Sequence, residues 1–408
     1  MISPRLSRPF GRTRRAIVSL ALLAAVGSPT AFAQLNPHIR GPVLSTNDLR
    51  GDFVAAGTGL RGTGGTGTIT IVGIPPDSFV KEALLYWAVL DNAQTAQAGQ
   101  ITFAGNAVTG ALIGSTPAPC GSAMSSSFVY RADVTPYVTG NGPYAISGAY
   151  DSGNVAVAPV TEGASLVIIY SNVTSANRDI VIYEGASVAN SNGAQVSSTL
   201  SFFNGTTPVT GATLCYIVGD GQSGLSDSAF INGLSAATNI FDGSDAPAGL
   251  DYWDTDTIDA TAFLTGGVTS FNSAVQAGTD CILWVATPFS ITSPYPPADI
   301  VTENLTPNVP QGTRFQMRVT ASNTSGSNVP VFARIDVFRQ PGALVGTMLQ
   351  NKGGTLPAGA TVQKVFGRNI PRGVPPGLTN QPLYILTTLT NRLSGAFIDD
   401  DYVIMYVR

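Results

Sequence analysis

Apolar residues fall along this chain in short β-branched and aromatic runs, punctuated by Gly, Pro and Asn. Leucine- and glutamate-rich stretches of helical spacing are absent. The pattern predicts an all-β protein. Two runs, at 83–90 and 164–170, are nearly continuous rather than alternating, as expected for strands covered on both faces. Towards the C-terminus the pattern changes to alternation. Phe315, Met317 and Val319 lie on one face of a strand and Gln316, Arg318 and Thr320 on the other. The segment from Val331 to Phe338 repeats this, and Tyr384 to Leu389 and Tyr402 to Val407 supply further strands.

Landmarks recur in the same order in two halves of the first 290 or so residues. ALLYWAVLD, ending at Asp91, parallels ATLCYIVGD, ending at Asp220. A turn at Phe103-Ala104-Gly105-Asn106 parallels Phe230-Ile231-Asn232-Gly233. DVTPYVTG from Asp133 parallels DATAFLTG from Asp259, and GASLVIIY from Gly163 parallels GTDCILWV from Gly278. The offsets are 129 (91 to 220), 127 (103 to 230), 126 (133 to 259) and 115 (163 to 278). Agreement in order and spacing points to an internal duplication. Asp133 and Asp259 stand where a carboxylate can accept backbone N–H groups and pin a turn. Each copy is expected to hold roughly six to eight strands, as in a jelly roll or β-sandwich.

The expected layout is a signal segment over 1–33, an extended lead-in over 34–59, a first jelly-roll-like module over 60–195 and a second over 196–292. A Pro-rich linker over 293–298 then leads to an Ig-like β-sandwich of about seven strands over 299–408. Five arginines precede a short apolar run and the small-x-small site Ala31-Phe32-Ala33, which predicts export with cleavage before Gln34. The run is too short for a permanent bilayer span. Thr13-Arg14-Arg15 leaves the general and twin-arginine export routes open.

The strings ALLYW, YRADVTPYV, EGASLVIIY and RDIVIYEGA resemble a poorly characterised family of secreted prokaryotic domains found in large surface proteins, often upstream of Ig-like domains. That resemblance spans about 80–290 and implies location and architecture only. The DVT motif is similar to one in galactose-binding-like jelly rolls, where it is structural. The paired layout also resembles that of peptide N-glycanase-like and copper monooxygenase proteins. The copper chemistry needs several histidines, and this chain has one, His38.

Charged residues are only 11% of the chain, and their distribution is uneven. Removing the five leader arginines takes the formal net charge from -4 to -9. Between Asp179 and Tyr295 there are eleven carboxylates and no Lys or Arg, whereas the segment from Pro297 onward has ten basic and six acidic residues. No clustered cations mark a nucleic-acid partner.

Asp242, Asp245, Asp251, Asp254, Asp256 and Asp259 crowd a Gly-containing loop. They read either as oxygen ligands for calcium or as a solvated acidic loop in which Asp259 caps a turn. The spacing is not that of an EF-hand. Tyr252 and Trp253 lie in that loop and are the candidate ligand contacts, whereas Trp87 and Trp284 read as core. Cys215 and Cys281 are the favoured disulfide, with Cys120 left over. No Ser-His-Asp set, His/Cys zinc site or phosphate loop is present.

Three readings follow. The first is a non-catalytic exported protein of structural, adhesive or carbohydrate-binding type, with surface glycans or surface proteins as partners. The second is a hydrolase using paired carboxylates between the two modules. The third is a self-assembling surface subunit. A filled junction favours the first, and a cleft holding two carboxylates favours the second.

Overall fold

The computed structural model describes residues 35–38 and 49–408, apart from 77, 120–121, 173, 248–249, 251, 280, 295–297, 340–342, 376–377 and 395–396. The signal segment therefore lies outside the described residues. So do Asp251, Cys120 and half of the Pro-rich linker, residues 295–297. The described chain is strand throughout, apart from turns and three single-turn 3-10 segments.

A two-residue strand, β1 (Asn36–Pro37), leads in. The first module follows with β2 (Leu49–Gly59), β3 (Gly67–Ile71), β4 (Phe79–Asp91), β5 (Gln100–Phe103), β6 (Asn106–Thr109), β7 (Ala111–Pro117), β8 (Ser126–Asp133), β9 (Gly142–Ser147) and β10 (Val160–Ser171). The second has β11 (Asn177–Ala189), β12 (Gln195–Ser201), β13 (Ala212–Gly219), β14 (Ser228–Ile231), β15 (Leu234–Thr238), β16 (Trp253–Asp259), β17 (Ser270–Gln276) and β18 (Ile282–Thr292). The C-terminal part has β19 (Ala298–Asn304), β20 (Asn308–Val309), β21 (Arg314–Asn323), β22 (Val329–Arg339), β23 (Ala343–Leu356), β24 (Thr361–Asn369), β25 (Pro382–Asn391) and β26 (Phe397–Val407).

The duplication is visible strand by strand. One sheet of the first module runs β3-β9-β5-β6, and its counterpart runs β12-β17-β14-β15. The other sheets run β2-β10-β4-β8 and β11-β18-β13-β16, with β7 added to the first. Asp133 Oδ1 accepts the Thr135 N–H at 3.0 Å and Asp259 Oδ1 accepts the Thr261 N–H at 2.9 Å. Each threonine hydroxyl oxygen then accepts a strand N–H, from Ala83 and from Ala212, both at 2.9 Å. The turns Ala104-Gly105 and Asn232-Gly233 both carry consecutive positive φ, as a two-residue hairpin requires.

The repeat is offset from the predicted layout by one strand. β2 falls in the expected lead-in, yet it is the counterpart of β11. β11 in turn falls in the expected first module, yet it opens the second. Neither strand carries a sharp motif. The two pair at Arg50 and Asn177, which joins both larger sheets into one of ten strands with β1 included.

This arrangement explains the continuous apolar runs. Leu85, Trp87 and Val89 of β4 enter the core of the first module. Leu84, Tyr86 and Ala88 point the other way, into a core shared with Ile217, Leu283 and Val285 of the second. Strands covered on both faces have no polar side to alternate with. The C-terminal part is a separate two-sheet sandwich, ordered β19-β21-β24 and β20-β26-β25-β22-β23. Phe315, Met317 and Val319 are buried in it, as their alternation predicts.

Candidate functional site at the module junction

Where the modules meet, charge is buried with apolar side chains. Arg61 follows β2. Its Nη1 donates to Glu162 Oε1 at 3.0 Å and to Asp220 Oδ1 at 3.3 Å. Its Nε and Nη2 both donate to the Val155 carbonyl, and the guanidinium lies 3.9 Å from the centre of the Tyr252 ring. Arg61, Glu162 and Asp220 are all buried. Burial pushes the Glu162 carboxyl up to about 7, against the pull of Arg61. Glu162 and Asp220 thus both accept from one guanidinium nitrogen, which stands between them.

Beside this node, Trp253 at the start of β16 is 0% exposed, and its Nε1 donates to Ser165 Oγ at 2.8 Å. Its place as a ligand contact is therefore corrected: the indole is a packing element between modules. The loop's polar sequence disguised this, because the neighbouring positions face the other way. Tyr252 is half-buried and committed to Arg61.

The acidic loop is drawn together, and its parts differ in role. Asp254 Oδ2 accepts the Gly243 N–H at 2.8 Å, and Oδ1 accepts the Ser244 N–H at 2.9 Å. Asp254 thus braces the loop. Burial pushes its carboxyl up to about 7 and that of Asp256 up to about 8. The nearby Asp245 and Asp242 charges add to the rise at both, as does Asp254 at Asp256. Asp245 is also raised by burial. Among the described residues, no three carboxylate, histidine or cysteine groups are placed to hold a metal ion, and Asp251 of the expected set lies outside those residues. The expected ligand Asp254 is already spent on backbone amides.

The raised carboxyls give a pH dependence of fixed sign. A carboxyl with a raised folded-state pKa contributes stability that is fully present below its unfolded value, near 3.8. That stability is lost as pH rises through the folded value, about 8 for Asp256. Asp256→Asn is expected to raise stability by about 1–3 kcal/mol at pH 8 and to change little at pH 4. Denaturant unfolding at the two pH values reads this difference, and equal effects at both would refute it.

The predicted disulfide is also corrected. Cys215 is a free, buried thiol, whereas Cys281 is disulfide-bonded. Their strands are neighbours, as expected. The antiparallel register sets Leu214 opposite Phe289 and Gly219 opposite Leu283. Cys281 lies past that last pair, roughly 20 Å from Cys215 at about 3.3 Å per residue. A disulfide tolerates about 7 Å between Cα atoms.

A second buried network ties the C-terminal sandwich to the first module. Lys81 Nζ donates to Asp401 Oδ2 at 2.6 Å, to the Thr302 carbonyl at 2.8 Å and to Thr302 Oγ1 at 3.1 Å. Arg50 pairs with Asp299 at 2.6 Å, and the Tyr406 hydroxyl donates to Asp133 Oδ2 at 3.0 Å. His38 lies 3.4 Å from Glu82 and 3.3 Å from Glu184, which also pairs with Arg131 and accepts from Tyr86 at 2.7 Å. Sequence reasoning missed this network and Arg61. The available signal was a lone charge opening a strand that is apolar on both faces, as Lys81-Glu82 and Glu162 do.

Residues 46–284 match the model of a family described as protein of unknown function (DUF3344). No curated protein matches the chain. Among solved structures it is similar to a Bacteroides uniformis beta-glucuronidase at 14% identity and TM-score 0.24, covering 56% of this chain and 26% of that one. It is similar to a glycosyl hydrolase family 2 member from Bacteroides cellulosilyticus at 12% and 0.26, covering 56% and 28%. A CARDB domain from Pyrococcus furiosus, in complex with di-metal ions, is 13% identical at TM-score 0.22, covering 28% of this chain and 90% of that domain. The chain thus spans about a quarter of the glucuronidase's length.

Proposed function

Because this chain belongs to the DUF3344 family of proteins of unknown function, its own geometry has to supply the reading, and we propose that it is an exported, non-catalytic protein of structural or adhesive type. Its partners on this reading are surface glycans or other surface proteins. The observation that carries it is the filled junction: the carboxylates brought together between the modules, Glu162 and Asp220, are buried and held by one arginine. General acid or nucleophile duty would require one of them to face a substrate. The leader-like segment supports export, and among the described residues no helix is long and apolar enough to cross a membrane.

The test pairs chemistry with binding. The purified chain is expected to hydrolyse neither aryl glycosides nor N-glycosylated peptides, and Glu162→Gln is expected to lower the melting temperature without changing that outcome. Retention of surface glycans or surface proteins on an array is expected for the parent chain. Turnover that disappears in Glu162→Gln would overturn the proposal.

A further inference from the structure

Strand β7, the addition to the first module, packs against β11 of the second. Its Ile113 packs on the core that the two modules share. A Cβ on Gly114 would stand 2.6 Å from the Ala186 nitrogen, so the backbones of β7 and β11 approach closely there. The two strands advance together. Ala111 lies opposite Arg131, which pairs with Glu184, and three residues on Gly114 meets Gly185 and Ala186. Pro117 to Pro119 therefore lead towards Ala189 and Asn190, where β11 ends. Pro119 is buried, and its carbonyl accepts the Ser122 N–H at 3.2 Å across the turn into β8.

Cys281 stands at that same end of β11. It is fully buried and directly precedes β18, whose first residue Ile282 pairs with Ala189. Its Sγ lies 3.8 Å from Asn190 Oδ1. That sulfur is in a disulfide, whereas Cys215 is a free thiol. The chain holds three cysteines. The third, Cys120, follows Pro119 directly and lies outside the described residues.

We infer that Cys120 and Cys281 form a disulfide that fastens the first module to the second. Two independent observations agree on it. With Cys215 free, only Cys120 is left in the chain to pair with Cys281. Separately, the course of β7 along β11 carries the chain towards Asn190 and Cys281. At about 3.3 Å per residue, the stretch from Gly114 to Cys120 outreaches that from Ala186 to Asn190, so it is long enough to close the bond. The bond forms by exchange with a disulfide donor of an oxidising compartment. One cysteine thiolate attacks the donor and the other displaces it from the mixed disulfide. The donor leaves as two thiols, carrying two electrons and the two cysteine protons. The link joins positions 161 apart (120 to 281), a long loop whose closure restricts the unfolded chain. The inference does not depend on the absence of catalysis.

A disulfide map tests it. The chain is directed to the periplasm of a bacterial host, purified without reductant and alkylated with iodoacetamide in denaturant. Cleavage before aspartate then separates the three cysteines into segments 91–132, 179–219 and 280–298. Segments 91–132 and 280–298 are expected in one species that parts on reduction, with 179–219 apart and alkylated at Cys215. Segment 179–219 in the linked species, alkylation at all three cysteines, or a bond between two copies overturns the proposal. Cys120→Ser is expected to leave both Cys215 and Cys281 open to alkylation and to melt several degrees below the parent. Dithiothreitol should lower the parent's melting temperature towards that of the variant and leave the variant unmoved. An equal response in the two overturns the fastening role. If Cys120→Ser does not fold, the map of the parent still decides the pairing.

Discussion

Lys81→Met is expected to destabilise the chain by about 3–5 kcal/mol, because it removes the cation and leaves the Asp401 carboxylate buried without a counter-charge. Lys81 Nζ has no water to fall back on, since burial is nearly complete and all three of its donors are used within the protein. Burial lowers the lysine's pKa, and the Asp401 charge opposes this. The ammonium is therefore held by its partner. Asp401 accepts from the Thr302 N–H at 2.6 Å as well, so its removal would strand an amide. Adding Asp401→Asn to Lys81→Met should return about 1–2 kcal/mol, since the neutral amide still accepts from Thr302 while the unpaired charge is gone. Urea unfolding of the two variants beside the parent measures both effects. A loss under about 1 kcal/mol for Lys81→Met would mean that the pair contributes no more than a surface salt bridge.

Gly163→Ala is expected to cost about 3 kcal/mol, the upper end for overpacking, and to loosen the seam between the modules. A Cβ at this position would stand 2.2 Å from Cγ of Trp253. The obstacle is a rigid indole, fully buried and hydrogen-bonded to Ser165, and so unable to swing aside. Gly163 also sits at the register shift between β10 and β4, where the backbone already departs from the regular ladder. Near-ultraviolet circular dichroism should show the tryptophan environment altered, with a lowered melting temperature. In the Trp253→Ala background, which removes Cγ, the cost of Gly163→Ala is expected to fall sharply; an undiminished cost would rule out the clash as its source.

The duplication was legible because DVTPYV and DATAFL each specify a local turn: an aspartate, then a threonine that caps a strand of its own module. Such chemistry leaves a mark in sequence. β2 and β11 left no comparable mark, because their place is fixed by partners far along the chain. The same limit applies to Trp253. Its neighbours Asp254 and Thr255 are polar, and alternation alone could not say that the indole side would be covered by Ser165 and Gly163 of the other module. The acidic loop read either as calcium ligands or as a solvated loop, and nothing local in its sequence marked one aspartate as a brace for the backbone. Asp254 turned out to serve the loop backbone. The cysteines show how little adjacency means without register: the two strands were rightly paired, and the two sulfurs still lie far apart.

The Lys81–Asp401 contact joins residues 320 positions apart, and His38 near the beginning is enclosed by Glu82 and Glu184. Closing loops of that span delays the reward for folding until almost the whole polypeptide is available. The junction between the first module and the C-terminal sandwich is therefore expected to close late, once β26 with Asp401 is in place.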